Sequence, residues 1–76
     1  MNIKLISDVI VKRRKTLAVS QKEVAELAHL SLHSIHNLES GNGNPTIASL
    51  LAILDVLGME VTLSVKGALR MEEAND

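Results

Sequence analysis

Seventy-six residues without a cysteine or an aromatic side chain make one small domain, whose core has to come from twelve Leu, six Ile and seven Val with no disulfide or Cys-type zinc site to brace it. A chain this short buries only about 60% of its unfolded surface, so association with a second chain is the expected source of added stability. Net charge is −1, but three of the nine acids (Glu72, Glu73, Asp76) fall in the last five residues, leaving six acids against eight Lys and Arg in the remainder.

The first helix is expected over Ile3–Thr16, with Ile6 and Ile10 inward and the basic block Lys12, Arg13, Arg14, Lys15 at its end. Cations suit a helix C-terminus, where they face the negative end of the dipole. The same block suits a phosphate backbone.

Ser20 and Glu23 then form a capping box, hydroxyl to one backbone N–H and carboxylate to the other, so a second helix starts at Gln21. Val24, Leu27 and Ala28 recur at helical spacing as its buried stripe, with Lys22, Glu23 and Glu26 in water. Only His29 and Leu30 precede the next start signal, Ser31, which caps a third helix over Leu32–Glu39. So short a connection forces a steep crossing, and Ala25 is small enough to permit close approach.

On the third helix Ile35 and Leu38 mark the inward side, which carries His33, Asn37 and Ser40 to the opposite face, flanked by Leu32, His36 and Ser34. The polar members of this surface can donate or accept a hydrogen bond to a base edge or a phosphate. Gly41 ends the helix as a C′ residue. A steep helix pair with an outward polar face is how a chain enters a DNA groove, and double-stranded DNA is the expected partner.

The spacing of Ser20, Gln21 and Ala25, then Ser31, Ile35, Glu39 and Gly41, then Asn44, Pro45 and Thr46 resembles the Xre/Cro-type helix-turn-helix family of bacterial and phage repressors. The run from Arg13 to Gln21 matches as well, so the resemblance covers roughly residues 6–58. It implies a mostly α, four-helix, lambda-repressor-like domain in which Ala25, Ile35 and Leu38 are scaffold. It implies base reading by Leu32, His33, Ser34, His36 and Asn37, and phosphate contacts by Arg13, Arg14, Gln21, Lys22, Ser40 and Asn42. The family usually has Gly where this chain has Ala18 and His29. Position 29 is a left-handed turn position, where His carries a steric cost.

After the loop at residues 41–45, Thr46 caps a fourth helix from Ile47, stopped by Gly58. Ile47, Leu50, Leu51, Leu54 and Leu57 read as a complete core stripe, yet Ala48, Ala52, Ile53 and Val56 add apolar surface around the cylinder. A helix apolar nearly all round is buried on more than one side, and the second side is expected to meet another chain.

Past Gly58 the period changes to two: Met59, Val61, Leu63 and Val65 alternate with Glu60, Thr62, Ser64 and Lys66, a half-buried strand ended by Gly67. It has no partner strand in the chain, so pairing with its own copy across a homodimer is expected. The expected dimer surface is Ile53, Val56, Met59, Val61, Leu63 and Val65. Within the family this strand is similar to that of HipB-type antitoxins. That resemblance implies an autoregulating antitoxin whose partner is a HipA-like serine/threonine kinase toxin. A stand-alone repressor that uses the strand only to dimerise is the alternative, and a pure protein-interaction domain is a further one. The domain is expected to span residues 1–69, with 70–76 a disordered acidic tail.

His29, His33 and His36 raise the question of a metal, but without Cys or a nearby carboxylate triad no metal or other cofactor is expected. No enzyme is expected either, since the chain is too short for a buried pocket with a supporting shell. With neither a bilayer-length apolar run nor a leader pattern, a cytoplasmic protein without membrane contact is expected.

Overall fold

Every helix begins on a side chain that accepts a backbone N–H. The computed structural model describes residues 2–66, with α1 at Ile3–Thr16, α2 at Gln21–Ala28, α3 at Leu32–Glu39 and α4 at Ile47–Val56. Asn2 takes the N–H of Lys4 at 2.8 Å, Ser31 that of Ser34 at 3.1 Å, and Thr46 that of Ser49 at 3.0 Å. At α2 the capping box is complete, with Ser20 Oγ on the Glu23 N–H at 3.0 Å and Glu23 Oε1 on the Ser20 N–H at 2.9 Å. Each such cap contributes about 1 kcal/mol.

The helix ends are equally explicit. Leu30 N–H returns to Ala25 O at 2.9 Å and His29 N–H to Glu26 O at 3.3 Å, a Schellman motif around a left-handed His29 with φ 57°. The same motif closes α1 around Ala18, φ 58°, and α4 around Gly58, φ 70°. Both positions where the family usually has Gly are therefore left-handed here.

α2 packs against α3 and α4, and α3 also packs against α1. The core joins Ile10 of α1, Val24, Ala25 and Ala28 of α2, Ile35 and Leu38 of α3, and Leu50, Ile53, Leu54 and Leu57 of the α4 region. Among the described residues, one polar side chain lies fully inside it. Ser7 Oγ sits 2.6 Å from Leu38 O and 2.8 Å from Ile3 O, its single proton shared between the two carbonyls.

Several sequence expectations are corrected. Leu27 is 65% exposed, because the buried arc of α2 runs through Val24, Ala28 and Ala25, and Leu27 lies roughly 60° beyond its edge. In α4 the inward arc is Leu50, Ile53, Leu54 and Leu57, so Ile47 and Leu51, expected in the core, are 71% and 48% exposed. Ile53, expected at a dimer surface, is buried in its own chain's core, and Val56 and Met59 pack half-buried against that core. The strand expected past Gly58 is not shown by this single chain: no β-strand occurs among the described residues. Residues 61–66 are exposed, with none of the cross-strand hydrogen bonds that would define a strand within one chain. Gly67, which was expected to end the strand, and the expected tail at 70–76 lie outside the described residues.

Candidate nucleic-acid interface

α3 presents its outer side to solvent because Ile35 and Leu38 hold the inner side in the core. Leu32, His33, Ser34 and His36 are exposed and Asn37 is half-buried, which places the five expected base readers on one surface. Their side chains are linked in pairs. Ser31 and Ser34 hydroxyls lie 2.9 Å apart, and Asn37 Nδ2 lies 3.0 Å from His33 Nε2. Ser40 Oγ donates to Asn37 O at 2.8 Å, closing the helix end.

Two depressions flank this helix. One, of about 310 Å³, is lined by Val11, Arg14, Lys15, Gln21, His36, Glu39 and Ser40. The other, of about 250 Å³, is bounded by Ser34 and Asn37 together with the 43–46 loop and Ser49. Of the expected phosphate set, Gln21 and Ser40 meet in the first depression, while Lys22 and Asn42 are exposed elsewhere on the surface. Lys15, not singled out from the basic block by sequence, joins them there.

The two arginines do something else. Arg14 Nε donates to Glu39 Oε2 at 2.6 Å, Nη2 to Glu39 Oε1 at 2.9 Å, and Nη1 to Val19 O at 2.9 Å. Gln21 Nε2 adds a third donor to Glu39, at 3.0 Å from Oε1. The pair is nearly closed to water, with side chains 14% and 6% exposed. Burial opposes ionisation of Glu39, but the hydrogen bonds from Arg14 and Gln21 outweigh it and hold the carboxyl below its ordinary range. The Glu39 hydrogen bond in turn raises Arg14, against its own burial. Arg13 Nε donates to Leu57 O at 2.9 Å, satisfying a carbonyl at the end of α4. Arg14 is therefore committed within the fold, all three of its nitrogens being bonded, whereas Arg13 spends only Nε and keeps its two Nη groups without a hydrogen-bond partner among the described residues.

Among the described residues no group of His, Asp or Glu is arranged to hold a metal ion. No described helix is long and apolar enough to cross a membrane.

A short helix fixed by its neighbour at a tight left-handed turn, with its polar side outward between two depressions, defines a helix-turn-helix DNA-binding domain. The family model described as helix-turn-helix matches residues 10–63, and the chain belongs to this Xre-like family. Comparison with curated proteins found no match.

Proposed function

We propose that the chain is a sequence-specific repressor that binds double-stranded DNA as a homodimer. The exposed polar side of α3, held at a fixed angle by the half-buried Arg14–Glu39 pair, carries this reading. Leu32, His33, Ser34, His36 and Asn37 face the bases, and Lys15, Gln21, Lys22, Ser40 and Asn42 the phosphates. Binding to DNA from the region upstream of its own gene tests it. Counterion release requires log affinity to fall linearly with log salt, and loss of that slope, or equal affinity for unrelated DNA, would remove the sequence-specific reading.

The dimer is supported by an apolar groove of about 550 Å³ between α1, α4 and the segment after Gly58. Leu5, Val9, Ile47, Leu51, Val61 and Leu63 line it, all at least two-fifths exposed, and no α3 residue takes part. Pairing of residues 59–66 with the same segment of a second copy would cover the groove and supply the missing ladder bonds.

A narrower reading makes the protein the antitoxin of a HipA-like kinase toxin, repressing its own operon. The alternating, exposed Val61, Leu63 and Val65 support it through their likeness to the HipB-type strand. Co-purification with the product of a neighbouring kinase-like gene tests it, and failure to associate leaves the stand-alone repressor.

A further inference from the structure

Between α3 and α4 the chain runs through Gly41, Asn42, Gly43 and Asn44 before Pro45. Asn42 and Gly43 are exposed and lie outside any helix, and the Gly43 N–H has no backbone partner among the described residues. An asparagine amide carbon is electrophilic and stands within reach of the next residue's backbone nitrogen. The next side chain, or a hydrogen bond on that nitrogen, ordinarily keeps the two from reacting. Gly43 supplies neither obstacle, since it has no Cβ to crowd the approach. The other asparagines of the described residues are each protected. Asn2 precedes the branched Ile3, and its side chain is occupied by the Lys4 N–H. Asn37 lies within α3, where the Leu38 N–H belongs to the helical ladder. Asn44 precedes Pro45, whose nitrogen carries no proton to lose.

We propose that Asn42 is a self-modifying site, whose slow conversion to a carboxylate weakens the hold on DNA. The loss of affinity rests on the DNA reading of α3, whereas the modification stands on the loop alone. The Gly43 nitrogen gives its proton to solvent base and attacks Asn42 Cγ, forming a new C–N bond that closes a succinimide ring. The bond from Cγ to Nδ2 breaks, and Nδ2 takes up a proton and leaves as ammonia. Water then opens the ring at either carbonyl. Opening at Cγ gives an aspartate on the ordinary backbone, and opening at the main-chain carbonyl gives one whose backbone runs through the side chain. No oxidant, reductant or enzyme takes part.

The position gives the change its consequence. A methyl group on Gly41 would sit 3.1 Å from Lys4 Cδ, and one on Gly43 would sit 3.5 Å from Asn37 Cβ. Asn42 is thus held between α1 and the reading surface of α3. In the DNA reading its neutral amide meets a phosphate. The aspartate that replaces it is ionised at neutral pH and repels that phosphate. Residues 41–46 include no ionisable side chain, and Lys4 is paired with Asp8 at 3.1 Å, so the loop offers no cation to offset the new charge. The rerouted isomer also lengthens the main chain beside Asn37.

Incubating the full chain in warm, mildly alkaline buffer, with peptide mapping by mass spectrometry at intervals, follows the reaction. Asn42 should convert well before Asn2, Asn37 and Asn44, giving both forms of aspartate. Gly43→Ala should slow the conversion strongly while remaining helical by circular dichroism, because the added methyl makes only an ordinary contact with Asn37. Converted protein separated by ion exchange, and the Asn42→Asp variant, should each bind DNA from the region upstream of the gene about tenfold more weakly than fresh wild type. Over the same interval Gly43→Ala should hold its own starting affinity. Conversion of Asn42 no faster than that of Asn37 or Asn44 overturns the site. Conversion without loss of affinity overturns the proposed consequence and leaves the DNA reading intact. No selective binding by fresh wild type overturns the DNA reading and the loss of affinity together, whatever the mass spectra show.

Discussion

Arg14 grips Glu39 fork to fork, through bonds of 2.6 and 2.9 Å, and so ties the last turn of α1 to the last turn of α3. Removing either partner strands a charge in a nearly dry site, at a cost of about 3 kcal/mol. Arg14→Ala and Glu39→Gln should each lower the urea midpoint by that order, whereas the double replacement Arg14→Met with Glu39→Met should recover much of the loss. If Arg14→Ala unfolds no more readily than the wild type, the pair is not structural.

Lys15 should behave in the opposite way. It is exposed beside Gln21, His36 and Ser40, with no ion pair among the described residues. Lys15→Ala should leave the thermal midpoint nearly unchanged while reducing the salt slope of DNA binding by about one. A lowered midpoint with an unaltered slope would count against a phosphate contact.

The same pair sets the response to acid. Glu39 is held below its ordinary value of 4.5, so the stability it contributes is fully present above that value and is lost as pH falls through the lower folded value. Arg14 is shifted upward, and its contribution is lost only above the arginine range, beyond working pH. Urea midpoints should hold steady through the neutral range and drop below about pH 4.5, and Glu39→Gln should flatten that drop.

Left-handed Ala18 and His29 are strained positions that glycine would relieve. A non-glycine residue there costs about 1–2 kcal/mol, partly offset by the entropy glycine adds to the unfolded chain. Ala18→Gly should therefore stabilise by about 0.5–1 kcal/mol in chemical denaturation. Destabilisation would show that the Ala18 methyl makes contacts worth more than the strain.

Leu51 and Leu63 line the apolar groove. Leu51→Glu or Leu63→Glu should shift sedimentation toward monomer if a second copy covers it, with the helical signal retained, since both side chains are largely outside the core. Ile53→Glu should instead unfold the domain, as Ile53 is 1% exposed. A mass unaffected by the groove variants refutes this interface.

The helix starts were legible because each rests on two or three neighbouring residues: Ser20 with Glu23, Ser31 with Ser34, and Thr46 with Ser49 announce themselves locally. The turn at His29 was legible from the shortness of the link. Less legible was which apolar residues of α4 point inward, since a cylinder carrying Ile47, Leu50, Leu51, Ile53, Leu54 and Val56 has no polar face to orient it, and only packing against α2 chooses. The roles of Arg13 and Arg14 were hidden for a related reason. Their partners Leu57 and Glu39 lie 44 and 25 residues away, and a run of four cations reads as solvated until those partners are brought near. One hint was present: Glu39 follows the buried Leu38 directly, close to the inward stripe.

Ser7 bears on how this chain comes to have one structure. Aliphatic side chains attract without direction, and a core of Leu, Ile, Val and Ala can slide among packings of similar energy. The Ser7 hydroxyl resists sliding, because moving α1 by one residue would withdraw it from Leu38 O and forfeit that hydrogen bond, at about 1 kcal/mol, with Ile3 O and the Gly41 N–H left as the remaining partners of the two atoms. It acts as a registration mark between the first and third helices. A hydroxyl on one side and a carbonyl on the other thus make neighbouring alignments unequal in a core whose side chains alone would hardly distinguish them.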